Sequence, residues 1–461
     1  MRIFFKSAAP LALLFCVSQA LHAASLDEAF AKALAASGLP EAGFAVSVSH
    51  NGRTLFALND TNTVPVASTA KVVTTLAALE ILTPANTWKT RFYTSDEITP
   101  KSATVQKLFI KGGLDPHYVY EDLVKDALRL KSMGISRVAG DIVVDRARLN
   151  PYAGAAQSAS RSYEIDADSA LFNFSSVVLR ITPEPAKGSA LIAPEVALEG
   201  LKIPKYLPLR KGYCPAWRQS LKADFSKPLR PVFKGFFPAE CKERLLSYPV
   251  NGENVLLASG IRAVFKHFGI RFSGKVVSGR VPASAKPLFA HESLDCASLV
   301  RLTNKFSNNI LARHLFLTLG EPGENRPASY AQSRTRLKAW LAAKGVTDPI
   351  SVVNGSGLST KTQASARAMS QVLEAGLKSP FSHEWIASLP IAGLDGTMRD
   401  RPLATHRAHV KTGQLDKTRA VAGVVRTKDG RDIAVFAAFN GANAAKAVPV
   451  FDALLAACAD L

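Results

Sequence analysis

Cysteine is scarce in this chain, and closely spaced cysteine pairs are missing altogether. Five cysteines are spread over 461 residues, and none has C-x-x-C spacing, which excludes the usual zinc ribbons and thiol redox motifs. The nine histidines never form H-E-x-x-H or another metal-ligand spacing, so no metal is expected. The phosphate-cradling loops G-x-x-x-x-G-K-[ST] and G-x-G-x-x-G do not occur, and no cofactor is expected. The G-x-S-x-G elbow is missing too, which argues against a hydrolase of Ser-His-Asp type. Acidic residues are few: 37 Asp and Glu face 57 Lys and Arg, a net charge of +20. Such an excess implies polyanionic surroundings, whether nucleic acid, anionic lipid or an acidic cell-wall polymer.

What is present describes a globular protein. Hydrophobic residues make up 47% and charged residues 20%, too apolar for general disorder. The 29 Gly and 26 Pro follow no period, which excludes a collagen-like chain. The length suggests two or three domains.

The N-terminus has the layout of a secretory signal: Arg2 and Lys6, an apolar stretch from Ala8 to Ala20, then small residues Ala20, Ala23 and Ala24. Residues 1–23 are therefore expected to be removed, with cleavage between Ala20 and Ser25. No other segment is an uninterrupted apolar run of membrane-spanning length, so a soluble, periplasmic protein is expected. Export disfavours nucleic acid as the partner. It also allows disulfides among Cys214, Cys241, Cys296 and Cys458, for which three connectivities exist. Cys214 and Cys241 enclose a basic, Pro-rich stretch with few apolar anchors, and that pair is the expected disulfide. Cys296 and Cys458 lie in helical patterns and read as buried thiols.

Ser25-Leu26-Asp27-Glu28 is a capping-box pattern opening an Ala-rich helix that stops at Gly38. Asn51-Gly52 between alternating runs marks a hairpin. Ser68 to Leu82 reads as a helix. From about Trp88 to Leu288 strand-like runs alternate with Gly and Pro breaks, including Leu108–Ile110, Asp141–Val144, Val177–Ile181 and Ala190–Ile192. This reads as an inserted, mostly β region of two lobes. Helical texture returns over Cys296–Leu319 and Ser329–Lys344. A second hairpin, Val421–Arg426 and Ile433–Phe439 around Lys428-Asp429-Gly430, precedes a final helix over Ala447–Ala459.

Three short motifs carry chemistry. Ser68-Thr69-Ala70-Lys71 is S-x-x-K at a helix start. Residues i and i+3 share a helix face, so Lys71 can bring its amine to the Ser68 hydroxyl, and a lysine made neutral by burial or nearby cations can take the serine proton. The plain alternative is a helix start with a solvated Lys. Ser307-Asn308-Asn309 is S-x-N, otherwise a polar loop. A second S-x-N, Ser49-His50-Asn51, is explained by the hairpin turn it occupies. Lys411-Thr412-Gly413 is K-T-G just before the second hairpin, otherwise an ordinary surface strand. His406 and His409 nearby read as structural or surface residues.

In this order the three motifs resemble the signature of penicillin-binding proteins and class A β-lactamases. About half of the chain lies between Ser68 and Ser307. With that gap the sequence resembles the class C low-molecular-mass penicillin-binding proteins, the D-alanyl-D-alanine carboxypeptidase/endopeptidase family, which carries extra domains between those motifs. Lys111-Gly112-Gly113-Leu114-Asp115-Pro116, Asn304–Asn309, Asn354-Gly355-Ser356-Gly357-Leu358-Ser359 and Ala392–Met398 look similar as well. Asn308 and Asn354 stand where that family often has Asp, and Gln414 where it usually has Thr.

The resemblance implies an α+β transpeptidase/β-lactamase-like domain, an antiparallel sheet with helices on both faces, built from residues 24–90 and 286–461 with 91–285 inserted. It implies Ser68 as nucleophile and Lys71 as base, with Ser307 and Lys411 relaying a proton to the leaving group. Asn309 would hold the substrate amide, Thr412 and Lys411 the terminal carboxylate, and the N–H groups of Ser68 and Gln414 beyond Gly413 the oxyanion. The implied partners are peptidoglycan (murein) stem peptides and inhibitory β-lactam antibiotics, with peripheral contact at a membrane surface. A β-lactamase, a noncatalytic peptidoglycan-binding module or an esterase of the same fold are the rival readings.

Overall fold

A computed structural model describes residues 26–99, 103–149, 159–321, 326–403 and 406–461. The expected export signal, 1–23, lies outside them. The chain divides into two compact units: one comprises residues up to Asn86, Asp295–Gly320 and Tyr330–Leu461, the other Thr87–Leu294 and Glu321–Ser329.

The first unit opens with a helix over 26–37 (α1). β1 (Phe44–His50) and β2 (Arg53–Leu58) form the first hairpin. Asn51 and Gly52 take φ of 51° and 76° in its turn, the left-handed pair that a two-residue hairpin turn demands. A short 3-10 turn, Ala67–Thr69, then leads into α2 (Ala70–Leu82). After the inserted unit come α3 (Cys296–Lys305), α4 (Asn309–Leu319), α5 (Tyr330–Ala343) and α6 (Ala366–Leu377). The chain closes with β3 (Ala408–Leu415), β4 (Thr418–Arg426), β5 (Asp432–Asn440) and α7 (Ala447–Asp460).

The five strands form one antiparallel sheet in the order β2-β1-β5-β4-β3. β1 and β5 are almost wholly buried, as in Phe44-Ala45-Val46 and Ala434-Val435-Phe436-Ala437, because both faces are covered. On one face α1 and α7 pack Leu26, Phe30, Phe451 and Leu454 against Phe44, Val46 and Phe439. On the other, α6 lies against β1 and β5, and α2 packs with α3 and α4. Central strands covered on both sides carry apolar residues without alternation. The α+β architecture expected from the resemblance is therefore the one observed.

The inserted unit is rich in strands. One five-stranded sheet contains Ser176–Glu184, Ser189–Pro194, Tyr206–Arg210, Phe237–Pro238 and Arg244–Pro249. A second contains Lys89–Thr94, Leu108–Lys111, Ile142–Asp145, Val276–Ser278 and Lys286–Glu292. Buried residues from both sheets, among them Phe92, Val144, Leu179 and Leu207, belong to one apolar cluster. Two 13-residue helices, Tyr120–Ser132 and Val255–His267, contribute Leu123, Ala127, Leu130, Ile261 and Val264 to it. Cys214 and Cys241 are joined by a disulfide with Cα atoms 5.0 Å apart, while Cys296 and Cys458 are buried free thiols.

Among the described residues no helix is long and apolar enough to cross a membrane.

Candidate active site

The first unit brings the three motifs to one place. Ser68 sits in the 3-10 turn ahead of α2, and Lys71 lies in the first turn of that helix. Lys71 Nζ is 3.0 Å from Ser68 Oγ, 2.7 Å from Asn309 Oδ1 and 2.5 Å from the Ser356 carbonyl oxygen. The side chain is fully buried. Burial, reinforced by the charges of Lys411 and Arg313, pushes the amine well below the ordinary lysine range. Were the amine deprotonated, its two N–H groups would serve the Asn309 and Ser356 oxygens and its lone pair would be left for the Ser68 hydroxyl proton.

Ser307 lies between α3 and α4, so the helical stretch expected over Cys296–Leu319 is interrupted there. Its φ is +56°, a left-handed conformation uncommon for a residue with a side chain. Asn308 follows as the N-cap of α4, its Oδ1 accepting from the N–H groups of Ile310 and Leu311 at 2.9 and 3.1 Å. That cap explains why Asn suffices where the family often has Asp: either side chain offers the acceptor. Lys305 anchors the preceding turn, donating to the Leu389 carbonyl and to Asp395, both at 2.6 Å.

Lys411 projects from β3 and donates to Ser307 Oγ at 2.9 Å and to the Thr412 carbonyl at 2.7 Å. It too is fully buried, and desolvation lowers its pKa to about 7. Thr412 Oγ1 is 2.8 Å from Thr397 Oγ1. Gly413 is required by close packing: a Cβ there would lie 2.9 Å from the Val66 carbonyl. Ser68, Ser307, Thr397, Thr412, Gly413 and Gln414 are among the residues lining a cavity of about 330 Å³. All residues expected at the site therefore converge, and the only expected pair elsewhere, Cys214–Cys241, belongs to the inserted unit. His406 and His409 stay out of the hydrogen-bond network. His406 Nδ1 lies 3.1 Å from the Ala392 carbonyl, and burial lowers the pKa of His409.

The contribution of Ser356 has no side-chain signature in the sequence. Its carbonyl, not its side chain, meets Lys71. Asn354 Oδ1 fixes the turn by accepting from Ser356 N and Oγ. Gly357 has φ +75°, and a Cβ on it would fall 1.9 Å from the Ala67 carbonyl and 3.1 Å from Ser68 Cα. The flanking glycines of Asn354-Gly355-Ser356-Gly357 are the signal that backbone must approach the Ser68 turn closely here.

The D-alanyl-D-alanine carboxypeptidase DacB of Haemophilus influenzae is 29% identical over 214 residues, 45% of this chain and 45% of the relative. In that alignment the chain spans less than half the relative's length. The D-alanyl-D-alanine carboxypeptidase of Actinomadura sp. (strain R39) is 25% identical over 448 residues, 89% of this chain and 80% of the relative. The crystal structure of penicillin-binding protein 4 from Haemophilus influenzae superposes with a TM-score of 0.73 at 21% identity, covering 95% of this chain and 99% of that one, and a second structure of it is complexed with a β-lactam. Residues 23–458 match the D-Ala-D-Ala carboxypeptidase 3 (S13) family, and the chain belongs to that family.

Proposed function

We propose that this protein is a serine D-alanyl-D-alanine carboxypeptidase that acts on peptidoglycan stem peptides through a Ser68 acyl-enzyme. The observation that carries the reading is the buried Lys71 amine, 3.0 Å from Ser68 Oγ with its other partners both oxygen acceptors. Ser68 attacks the carbonyl carbon of the penultimate D-Ala while its proton passes to neutral Lys71. The oxyanion that forms is received by the N–H groups of Ser68 and Gln414. The C–N bond then breaks. The departing amine takes its proton from Ser307, which Lys411 resupplies across their 2.9 Å hydrogen bond. A lysine titrating at about 7 is suited to giving and regaining a proton at neutral pH. Asn309 orients the substrate amide, and Thr412 and Lys411 receive the terminal carboxylate. Water attacks the acyl ester and gives its proton to the Lys411 amine, while protonated Lys71 returns a proton to the Ser68 oxygen, so that the serine and both lysines regain their starting states.

β-Lactams would acylate the same serine, and D,D-endopeptidase cleavage of cross-links would use the same steps with a larger leaving group. The signal-like N-terminus supports a periplasmic location, and the net charge of +20 supports docking on anionic murein or at a membrane surface. Labelling with fluorescent penicillin tests the assignment: wild-type protein forms a covalent adduct mapped to Ser68, and Ser68→Ala forms none while keeping its melting temperature. An adduct on Ser68→Ala, or on another serine, overturns it. Product analysis on purified muropeptides then separates release of terminal D-Ala from cross-link cleavage.

A further inference from the structure

A second cavity, of about 590 Å³, lies within the inserted unit. It is lined by Arg137, Arg262, Lys266 and Arg271, and Glu199 is its one carboxylate among the described residues. Lys266 has an internal use: it sits in the last turn of the helix Val255–His267, where a cation complements the helix dipole. The arginines are placed differently. Arg137 and Arg271 are register partners on adjacent parallel strands, Arg137–Val138 and Arg271–Phe272. Their side chains leave neighbouring backbone positions on one face, which sets like charge beside like charge. Arg262 is held by neutral groups. Its Nη2 donates to the Gly274 carbonyl at 2.6 Å, and its guanidinium lies over the Phe272 ring, 5.0 Å from the centroid. Ring face and carbonyl fix its position and leave its charge uncancelled. None of the three arginines makes an ion pair among the described residues. A neighbouring cavity of about 720 Å³ shares Glu199 and Lys266 with this one and is lined by Tyr120, Val124, Leu198 and Phe268. Together they form a cleft with a cationic end and an apolar end.

We propose that this cleft is an anion-binding exosite that holds carboxylate-bearing peptide branches of peptidoglycan. The inference rests on the proposed peptidoglycan reading for the identity of the polymer, and extends it to the compact unit that does not carry Ser68. Guanidinium groups with no internal counter-ion, two of them side by side, call for an oxyanion that accepts from both. The apolar end favours a peptide over other sources of oxyanions. A peptide branch with several carboxylates and small apolar side chains fills both ends, whereas a free phosphate fills only the cationic one. A bilayer presents a flat plane of headgroups, and this site is concave. Binding one branch keeps other branches of the same polymer near the enzyme, which raises their effective concentration without altering the chemistry at Ser68.

The test is co-sedimentation of the full-length protein, treated beforehand with fluorescent penicillin, with purified insoluble peptidoglycan. Wild-type protein should pellet with the native polymer and bind about tenfold more weakly once the polymer's carboxylates have been converted to amides. Arg137→Gln/Arg271→Gln should lose a similar factor on the native polymer, and Arg262→Gln part of it. Arg137→Lys/Arg271→Lys, which keeps both charges, should regain some of the affinity, a rescue that misfolding would not show. Penicillin labelling and hydrolysis of a small acyl-D-alanyl-D-alanine peptide should stay within about twofold of wild type in all of them, because the substitutions lie in the other unit. Lys227→Gln/Lys234→Gln removes as much charge from exposed lysines elsewhere in the inserted unit and should leave binding within about twofold. An equal loss in that lysine variant would show that net charge alone attracts the polymer, and the proposal fails. Undiminished binding of the Arg→Gln variants, or of wild-type protein to the amidated polymer, also overturns it. Vesicles of phosphatidylglycerol form the last arm: if the Arg→Gln variants lose vesicle binding and keep peptidoglycan binding, the arginines face a membrane and the proposal is wrong. Absence of a penicillin adduct on Ser68 would remove the carboxypeptidase reading, while arginine-dependent sedimentation would still stand, so the two failures are distinguishable.

Discussion

At the scale of single residues, the site stores two buried lysines in a place where burial opposes their charge. Lys411 shows what this means for stability. An unfolded lysine keeps its proton to about pH 10.4, whereas folded Lys411 releases it at about 7. Between those values the unfolded chain binds more protons than the folded one, so this group makes stability rise with pH, by up to about 1.4 kcal/mol per pH unit. Below pH 7 both states are protonated and its contribution is a constant cost. Lys411→Met keeps the apolar stem and removes the titration. Wild type minus Lys411→Met, measured by urea denaturation at half-unit steps from pH 6 to 9.5, should be flat below 7 and then climb in favour of wild type. A difference that stays level across the whole range would show that Lys411 keeps its proton in the fold. Lys71, also lowered by burial and by the charges of Lys411 and Arg313, acts in the same direction. It requires that acylation of Ser68 slow as pH falls through its own folded pKa.

At the scale of elements, the placement of Ser307 depends on how α3 ends and α4 begins. Asn308 caps α4 through two backbone N–H groups, and removing such a cap costs about 1 kcal/mol. Asn308→Ala should lower the chemical denaturation midpoint accordingly and slow acylation, because the Ser307 turn loosens. Asn308→Asp should retain both, since a carboxylate accepts the same bonds at the positive end of a helix. If Ala and Asp behave alike, the cap is not what holds the turn. The local chemistry of such elements was legible in advance: Asn51-Gly52 specified a hairpin, and Ser68 with Lys71 specified one helix face. What was not legible came from contacts distant in sequence. The Ser356 carbonyl reaches Lys71 only because an Asn-Gly-Ser-Gly turn lies against the start of α2. The left-handed Ser307 is held by neighbours and not by its own preference. In the inserted unit, Leu123, Ala127 and Leu130 lie at helical spacing along Tyr120–Ser132, but the frequent Gly and Pro breaks around that helix and around Val255–His267 give the region a strand-like texture.

At the scale of the whole molecule, the proposed catalytic residues and the disulfide belong to different compact units: Ser68, Lys71, Ser307 and Lys411 to one, Cys214 and Cys241 to the other. The cross-link closes a loop with a sequence separation of 27, which the chain-entropy account values at about 3–4 kcal/mol. It does so where help is needed. Around it Tyr213 is 71% exposed and Val232 53%, and Val232–Gly235 pairs only with Leu221–Asp224 in an isolated two-stranded sheet. Leu207, Trp217, Leu221 and Phe237 are the buried anchors that would still hold the segment once the bridge is gone, while the exposed strand Val232–Gly235 would loosen. Each unit also has an apolar core of its own, so loosening one need not dissolve the other. The double variant Cys214→Ser/Cys241→Ser should therefore show earlier hydrogen exchange and proteolytic cutting within residues 205–245. Penicillin acylation of Ser68 should stay within about twofold of wild type at temperatures where exchange elsewhere is unchanged. Cleavage of large cross-linked muropeptides is measured in the same samples: a selective loss there, with acylation intact, would assign the inserted unit a part in holding polymeric substrate. Loss of acylation in step with exchange at 205–245 would instead show that the two units unfold as one, and the division drawn from their separate cores would be wrong.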